Sequence, residues 1–353
     1  MRFSEINSDA TSQILQQRNL NLQILQQIQE NEADNLKITI KKEDLKLEDD
    51  DECDKKKIEK LVSYSQFVPY FDTLNGILYL LQINNNSNNQ VFHLNIDASL
   101  LVKYKYVSLI IVKNHVYFCG GKYDDHCYTQ TFQFNIDALN VPNTHERLVQ
   151  KKDMLSPKFL NSLVSKENTI YSIGGRTNEI FCYSCEKYKI RKDKWIPIPN
   201  LSNAKAFVTS CLVNCRYLYC FGGNREGFLS HIEVLDTENE QKGWNFIKQL
   251  LKISAIPSYS HSIQISKSQV LLFGNYVDIS QAQKAHSYLY DFTNRNLSRN
   301  CELQSYNSFL QVLTPPVRSQ KNEIYAIGDD LNLHSYIPNT NLWSIVKSQN
   351  WKK

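Results

Sequence analysis

The sequence contains no apolar run near the ~20 residues that a membrane-spanning helix requires. Its opening segment, MRFSEINSDA, lacks the apolar centre of a secretory signal peptide, so we expect a cytoplasmic protein. Nine cysteines without such a signal are expected to be reduced thiols. These absences argue against a membrane protein and against a small domain held together by disulfides.

Residues 1–63 contain no glycine, proline, tryptophan or tyrosine, and Phe3 is their one phenylalanine. They carry ten Lys/Arg and fourteen Asp/Glu, a net −4, which leaves +8 for residues 64–353 of a chain whose total is +4. So abrupt a change in composition indicates two regions. We predict a tether over 1–63 and a folded domain over 64–353.

The tether itself divides into two parts. Residues 12–30 are rich in helix formers and place Leu15, Leu22 and Leu25 at the spacing of an apolar stripe, which predicts a helix. The stripe is shorter than the three or four heptads of a stable coiled coil, so weak self-association through 12–30 stays an open alternative. The mixed-charge segment that follows, with acidic residues at 48–54, is typical of a solvated, partly disordered linker.

A short apolar strand ending in glycine recurs along the second region. The clear copies are HVYFCGG at 115–121, TIYSIGG at 169–175 and RYLYCFGG at 216–223, and the weaker ones are QVLLFGN at 269–275, EIYAIGD at 323–329 and GILYLLQ at 76–82. The first glycines stand at 120, 174, 222, 274 and 328, so the period is 48–54 residues. A period of this length indicates a repeat architecture.

Each repeat has room for four short antiparallel strands, and in three of them a tryptophan opens the last strand, namely Trp195, Trp244 and Trp343. A single sheet of this size cannot bury both of its faces, whereas sheets arranged radially in a ring can. The pattern therefore predicts a six-bladed β-propeller in which the tryptophans pack between blades. A seven-bladed propeller stays an open alternative if residues 36–62 supply strands. The sequence does not show how the ring closes.

The repeat resembles the Kelch motif, with a glycine doublet, a downstream Tyr or Asp and a spaced tryptophan. The most faithful copies contain Gly174, Gly175, Tyr188 and Trp195 in the third blade, and Gly222, Gly223, Asp236 and Trp244 in the fourth. In the last two blades Asn275 and Asp329 replace the second glycine, and both residue types tolerate positive φ. The resemblance covers 64–353 and implies an all-β, six-bladed Kelch-type propeller.

Motifs of catalysis are missing from the chain. It has no P-loop, GxGxxG, GxSxG or HExxH. A zinc site formed by Cys182, Cys185, Cys211 and Cys215 is disfavoured, because residues at i and i+3 of a strand point to opposite faces. The adjacent pair His126 and Cys127 is a poor catalytic dyad for lack of the hydrogen bond a base needs. We therefore predict no enzyme, no catalytic residue, no metal and no cofactor.

The resemblance implies that two sets of loops meet on one face of the propeller, those after the glycine strands and those between blades. The candidate partner-binding residues in these loops are Lys122, Tyr123, Lys158, Arg176, Asn178, Lys205, Asn224, Arg225, Tyr259, His261, Tyr276, His286 and Asn307. The excess of positive charge favours an acidic partner. Where the family usually has an arginine at the start of a blade, this chain has Lys158, Lys205 and Ser260, a departure that weakens transfer of a known peptide specificity.

The sequence thus predicts a non-enzymatic protein–protein interaction module that binds a protein or peptide through its loops. A cytoskeletal scaffold is preferred by family analogy. One alternative is the substrate-recognition subunit of a ubiquitin ligase, although 1–63 does not resemble the BTB or F-box segment that such subunits usually bring. A nucleic-acid-binding propeller ranks lower, because Lys and Arg are dispersed among Asp and Glu. No membrane partner is expected.

Overall fold

The structure is a computed structural model, which describes residues 67–72, 77–83, 91–95, 105–137, 148–225, 231–247, 256, 260–274, 286–302, 315–328 and 331–347. The predicted tether, its helix at 12–30 and the strands considered for 36–62 lie outside the described residues, and the boundary at residue 63 stays a prediction. Within the described part the regular structure is β-strand, apart from short 3₁₀ turns at Ile190–Lys192 and Glu240–Lys242 and 3₁₀ residues at 136–137. This part contains no helix that is long and apolar enough to cross a membrane.

The described strands form six blade sheets, one per sequence repeat, and one additional two-stranded sheet. The first blade contains β1 (Phe67–Asp72), β2 (Ile77–Gln82) and β3 (Val91–Asn95). The second contains β4 (Ser108–Val112), β5 (His115–Cys119), β8 (Thr131–Asn135) and β9 (Val149–Lys151), with a small hairpin of β6 (Lys122–Tyr123) and β7 (His126–Cys127) between β5 and β8. The third contains β10 (Ser162–Lys166), β11 (Thr169–Ile173), β12 (Cys185–Lys189) and β13 (Lys194–Ile198).

The remaining blades repeat this order. The fourth contains β14 (Thr209–Val213), β15 (Tyr217–Phe221), β16 (Ile232–Asp236) and β17 (Trp244–Ile247). The fifth contains β18 (Ser260–Gln264), β19 (Gln269–Gly274), β20 (His286–Asp291) and β21 (Asn296–Glu302). The sixth contains β22 (Val317–Arg318), β23 (Ile324–Ile327), β24 (Leu333–Ile337) and β25 (Leu342–Lys347). All neighbouring strands pair antiparallel, and the predicted six-bladed propeller is confirmed.

The hydrophobic core is divided among the joints between blades. Among the described residues six buried clusters each combine side chains of two neighbouring blades. One of them packs Val68 and Leu81 of the first blade against Tyr325 and Ile327 of the sixth. The last blade therefore lies against the first, which closes the ring and buries the sheet faces that an open array would leave exposed.

The tryptophans pack between blades, as the sequence predicts. Trp195 is buried, and its indole N–H donates to Thr131 Oγ1 of the preceding blade at 3.0 Å and to the Lys152 carbonyl at 3.1 Å. Its ring lies 5.2 Å from that of Tyr188, and the pair Tyr336 and Trp343 repeats this distance in the sixth blade. Large aromatic side chains thus fill the joints and account for the spaced tryptophan of the repeat.

Candidate functional site

The glycine doublets fix the loops that carry the predicted binding residues. Gly174 has a φ of +58°, and a Cβ added there would lie 2.6 Å from the carbonyl oxygen of Lys205 in the next blade. The N–H of Gly175 donates to the same carbonyl at 2.9 Å, and the N–H of Gly121 donates to the Lys158 carbonyl at 3.0 Å. Only glycine combines this backbone conformation with so close an approach, so the doublet joins one blade to the start of the next.

The residue directly after each doublet occupies an equivalent place in three consecutive blades. Lys122, Arg176 and Asn224 form single antiparallel bridges with Lys105, Phe159 and Ala206 at the start of the same blades. In blades two to four, the loop after the glycine strand therefore lies beside the segment that enters the same blade.

An aromatic pair with two cations stands out on this face. The ring of Tyr106, at the start of the second blade, stacks on Phe159 of the third with 5.8 Å between centroids. Lys122 Nζ and Arg176 Cζ each lie 5.8 Å from the Phe159 centroid, within the range of a cation–π interaction. Phe159 is buried, whereas 56% of Tyr106 is exposed. We call Tyr106, Lys122, Tyr123, Phe159 and Arg176 the aromatic–cation patch.

Asn178 joins two loops rather than pointing freely to solvent. Its amide N–H donates to the backbone carbonyl of Asp125 in the β6–β7 hairpin, and its Oδ1 accepts from the Cys127 thiol at 3.6 Å. Arg176 likewise holds its own loop, since its guanidinium donates to the carbonyls of Thr177 and Asn178, each at 3.0 Å. Tyr123, in the same hairpin, keeps 42% of its surface exposed. These contacts join the loop of Arg176 and Asn178 to the β6–β7 hairpin.

Lys158 and Lys205 lie in the interior instead of on the loop surface. Both have 0% relative exposure, with Lys158 Nζ 3.0 Å from Glu186 Oε1 and Lys205 Nζ 2.7 Å from Glu233 Oε1. The other carboxylate oxygens accept the N–H groups of Leu155 and Ser202 in the inter-blade loops, at 2.6 and 2.8 Å. The two lysines are therefore not part of the candidate recognition surface. Each forms a buried ion pair within its blade instead.

The charge state of Glu233, in the pair with Lys205, follows from its surroundings. Burial by itself raises the pKa of Glu233, but hydrogen bonding from His231 and the charge and hydrogen bond of Lys205 outweigh it and lower the pKa to about 2. The carboxylate is thus ionised across the physiological range and paired with a buried ammonium.

The other predicted residues are more scattered. Asn224 is half-buried and Arg225 is exposed in the loop after the fourth blade's doublet, while His261 lies half-buried in β18. His286 is the first residue of β20. Tyr259, Tyr276 and Asn307 lie outside the described residues. Of the predicted residues, the structure thus brings Lys122 and Arg176 to the same Phe159 ring and joins Asn178 to the β6–β7 hairpin that contains Tyr123.

Two of the four cysteines considered for a zinc site are buried thiols, and the other two, Cys182 and Cys215, are half-buried. Cys185 and Cys211 are buried, and burial raises the pKa of each to about 12. A thiol with so high a pKa is a poor source of the thiolate that zinc requires. Within the described part of the chain, no group of three or more His, Cys, Asp or Glu is placed to hold a metal ion.

Residues 160–202 match the family described as Kelch motif. The chain is 21% identical over 239 residues to Kelch-like protein 23 of Mus musculus, covering 66% of this chain and 39% of that protein. It is 23% identical over 191 residues to Kelch repeat and BTB domain-containing protein 2 of Ectromelia virus (strain Moscow), covering 53% of this chain and 31% of that protein. The chain therefore spans less than half the length of these relatives. The resemblance to Kelch repeats is confirmed by these matches and by the six blades.

Proposed function

We propose that this Kelch-repeat propeller is a non-enzymatic module that binds a protein or peptide partner at the aromatic–cation patch of its second and third blades. The observation that carries the proposal is the exposed ring of Tyr106 stacked on buried Phe159 between Lys122 and Arg176. Tyrosine and arginine are among the side chains that most often carry the binding energy at protein interfaces.

The charge of the propeller supports an acidic partner. Residues 64–353 carry a net +8, and Lys105, which precedes Tyr106, pairs with Lys122 at the start of the second blade. An acidic segment would gain a favourable approach and contacts to these ammonium groups. A cytoplasmic scaffold, cytoskeletal by family analogy, is the setting we propose for this interaction.

A second candidate is the recognition part of a ubiquitin ligase. It is favoured by the viral relative, whose name records a BTB domain beside its Kelch repeats. In that case the partner bound at the aromatic–cation patch would be the protein to be modified. Both candidates use the same surface and differ in what the partner undergoes after binding.

The experiment is proximity labelling in cells with the full chain, in which Tyr106→Ala/Tyr123→Ala is compared with the wild type. Leu342→Ala is the matched control, since Leu342 is 59% exposed on the outer strand of the sixth blade. We expect the double variant to lose the specifically labelled proteins, while the control retains them and thermal unfolding shows all three folded. The proposal is contradicted if the double variant still labels these proteins. It is also contradicted if the labelling is lost only when residues 1–63 are deleted. Accumulation of a labelled protein after proteasome inhibition selects the ligase candidate.

Binding to nucleic acid is tested on the same chain by titrating salt. Phosphate-driven binding falls about a thousandfold or more between 50 and 200 mM salt, whereas binding through an aromatic anchor changes little. We expect no steep dependence for the labelled partner.

A further inference from the structure

Lysines gather at the opposite end of the third blade from the glycine doublet, on the side facing the fourth blade. In the strand register Lys166 pairs with Thr169, Thr169 with Lys189, and Lys189 with Lys194. Side chains directly opposite on an antiparallel sheet share one face, with Cβ atoms about 5 Å apart. Three lysines and one threonine therefore form a single row across all four strands.

Two further lysines extend this row. Lys187 lies two residues before Lys189 on the same face of β12, and its ammonium forms an ion pair with Glu240 of the fourth blade. Lys192 lies in the 3₁₀ turn between β12 and β13, exposed to solvent. We call Lys166, Lys187, Lys189, Lys192 and Lys194 the lysine row.

The carboxylates nearby do not match these charges. Glu240 is engaged by Lys187, and Lys166 Nζ lies 2.9 Å from Thr237 Oγ1 and 4.0 Å from Glu238. Lys189 Nζ donates to the neutral hydroxyl of Thr169 at 3.2 Å. Among the ion pairs of the described residues, none includes Lys189, Lys192 or Lys194.

The electrostatic state of Lys189 agrees with this imbalance. Burial lowers its pKa, and the positive charge of Lys187 lowers it further. Glu240 opposes the change, whereas Lys192 and Lys166 add to it. An anion placed at the row would relieve this repulsion between like charges, which is a driving force for binding.

We propose that the lysine row binds a phosphate group on a phosphorylated segment of a partner protein, with Lys189, Lys192 and Lys194 as the charged contacts and Thr169 beside them. Three neighbouring ammonium groups, of which that of Lys189 contacts the Thr169 hydroxyl, would provide several charge-assisted hydrogen bonds to phosphate oxygens. The site lies at the other end of the blade from the aromatic–cation patch, so it does not depend on the proposed function.

The shape of the row favours a single phosphate over an extended polyanion. The side chains of Lys166 and Lys187 are only 20% and 15% exposed, so the row opens to solvent mainly at Lys192 and Lys194. Exposed Glu167 and Glu238 flank it and would repel the continuous phosphates of a duplex or an anionic membrane. A phosphorylated side chain brings one dianionic group and avoids these carboxylates.

The test is isothermal titration of the full chain with O-phosphoserine in low-salt buffer, with serine as the uncharged probe. We expect binding of O-phosphoserine alone, and a dissociation constant about tenfold higher for Lys189→Gln and for Lys192→Gln, as expected for one lost charge-assisted contact. Lys321→Gln is the control, because Lys321 is an exposed lysine in a strand turn of another blade, between β22 and β23. It should bind like the wild type.

Lys192→Gln tests the proposal even if Lys189→Gln fails to fold. Lys192 is exposed, so its substitution does not threaten folding. Equal affinity of Lys192→Gln and the wild type overturns the proposal, as does an equal loss in Lys321→Gln, which would indicate general charge screening. A short DNA duplex and phosphatidylserine vesicles are titrated in parallel. If either binds through Lys192 while O-phosphoserine does not bind, the proposed ligand is wrong.

Discussion

The ammonium of Lys205 lies 2.7 Å from the carboxylate of Glu233, and neither side chain is exposed to solvent. Lys158 and Glu186 form the same pair in the preceding blade at 3.0 Å. In both blades the glutamate is the second residue of the third strand and follows the lysine by 28 residues. The pair links the start of a blade to its third strand, at a position where the glutamate also holds the loop that leads into that same blade.

The first prediction concerns the loss of one partner. Lys205→Met leaves the Glu233 carboxylate buried without its cation, so we expect the free energy of unfolding to fall by about 3–5 kcal/mol. The double variant Lys205→Met/Glu233→Gln should be more stable than the single one, because no unpaired charge stays buried and Gln still accepts from Ser202. Urea unfolding measures both.

Lys151→Met is the control for this series. Its ammonium lies 4.0 Å from Asp193, with both side chains partly exposed, so we expect a loss below about 1 kcal/mol. A cost for Lys205→Met as small as that of the control would show that the buried pair does not stabilise the propeller.

The second prediction is a pH dependence that belongs to Glu233. Its pKa falls from 4.5 to about 2 on folding. Stability from this group is therefore complete above the unfolded pKa and is lost as the pH falls toward the folded pKa. Between about pH 5 and pH 2 the wild type should lose about 3 kcal/mol more than Glu233→Gln. Parallel pH profiles of the two proteins contradict the assignment.

The third prediction compares two glycines with positive φ. Gly174→Ala places a Cβ 2.6 Å from the Lys205 carbonyl, and Gly243→Ala, at a φ of +74°, meets nothing within 4 Å. Gly174→Ala costs about 1–2 kcal/mol for its positive φ. Gly243 also has a ψ of −173°, in a region that is essentially confined to glycine, so Gly243→Ala costs about 1–3 kcal/mol for the backbone conformation alone. Gly174→Ala must also push two blades apart, so its midpoint of urea unfolding should be clearly the lower. Equal urea midpoints of the two variants would mean that the glycine doublet is needed only for the backbone turn and not for the close contact between blades.

The fourth prediction compares two tyrosines at equivalent positions. The Tyr188 hydroxyl donates to the Asp193 carboxylate at 2.5 Å, whereas that of Tyr336 donates to the neutral Asn341 side chain at 2.7 Å. We expect Tyr188→Phe to cost about 1.5–3 kcal/mol and Tyr336→Phe about 1 kcal/mol, because hydrogen bonds to charged groups are stronger. The reverse order in thermal or urea unfolding contradicts this reading of the two turns.

The sequence predicted the blades well because each repeat contains its own local signal. The glycine at the end of a strand and the tryptophan that fills a joint recur with the period, so both reveal strand order and inter-blade packing without knowledge of distant contacts. The closure of the ring was not predictable, since the packing of Val68 on the sixth blade joins residues from opposite ends of the region.

The candidate surface was predicted only in part. Lysine is ordinarily exposed, which placed Lys158 and Lys205 on the loops. In both repeats a glutamate, Glu186 or Glu233, follows the lysine by 28 residues. A comparison of the two repeats would have found this recurring Lys–Glu spacing, which indicates an equivalent place in the blade for an internal ion pair. Tyr106 and Phe159 stand in different blades and belong to no recurring motif, so their stacking becomes visible only in three dimensions.

The seating of the sixth blade on the first removes any distinction between terminal and internal repeats. Every described blade has a neighbour on both sides, so the order in which the chain visits them is not imposed by packing. A circularly permuted chain that starts at β4 and ends at β3, with a linker from β25 to β1, retains all six joints. Deleting a whole blade instead leaves two apolar sheet faces without their neighbour. The remaining five blades would have to close into a ring of smaller radius.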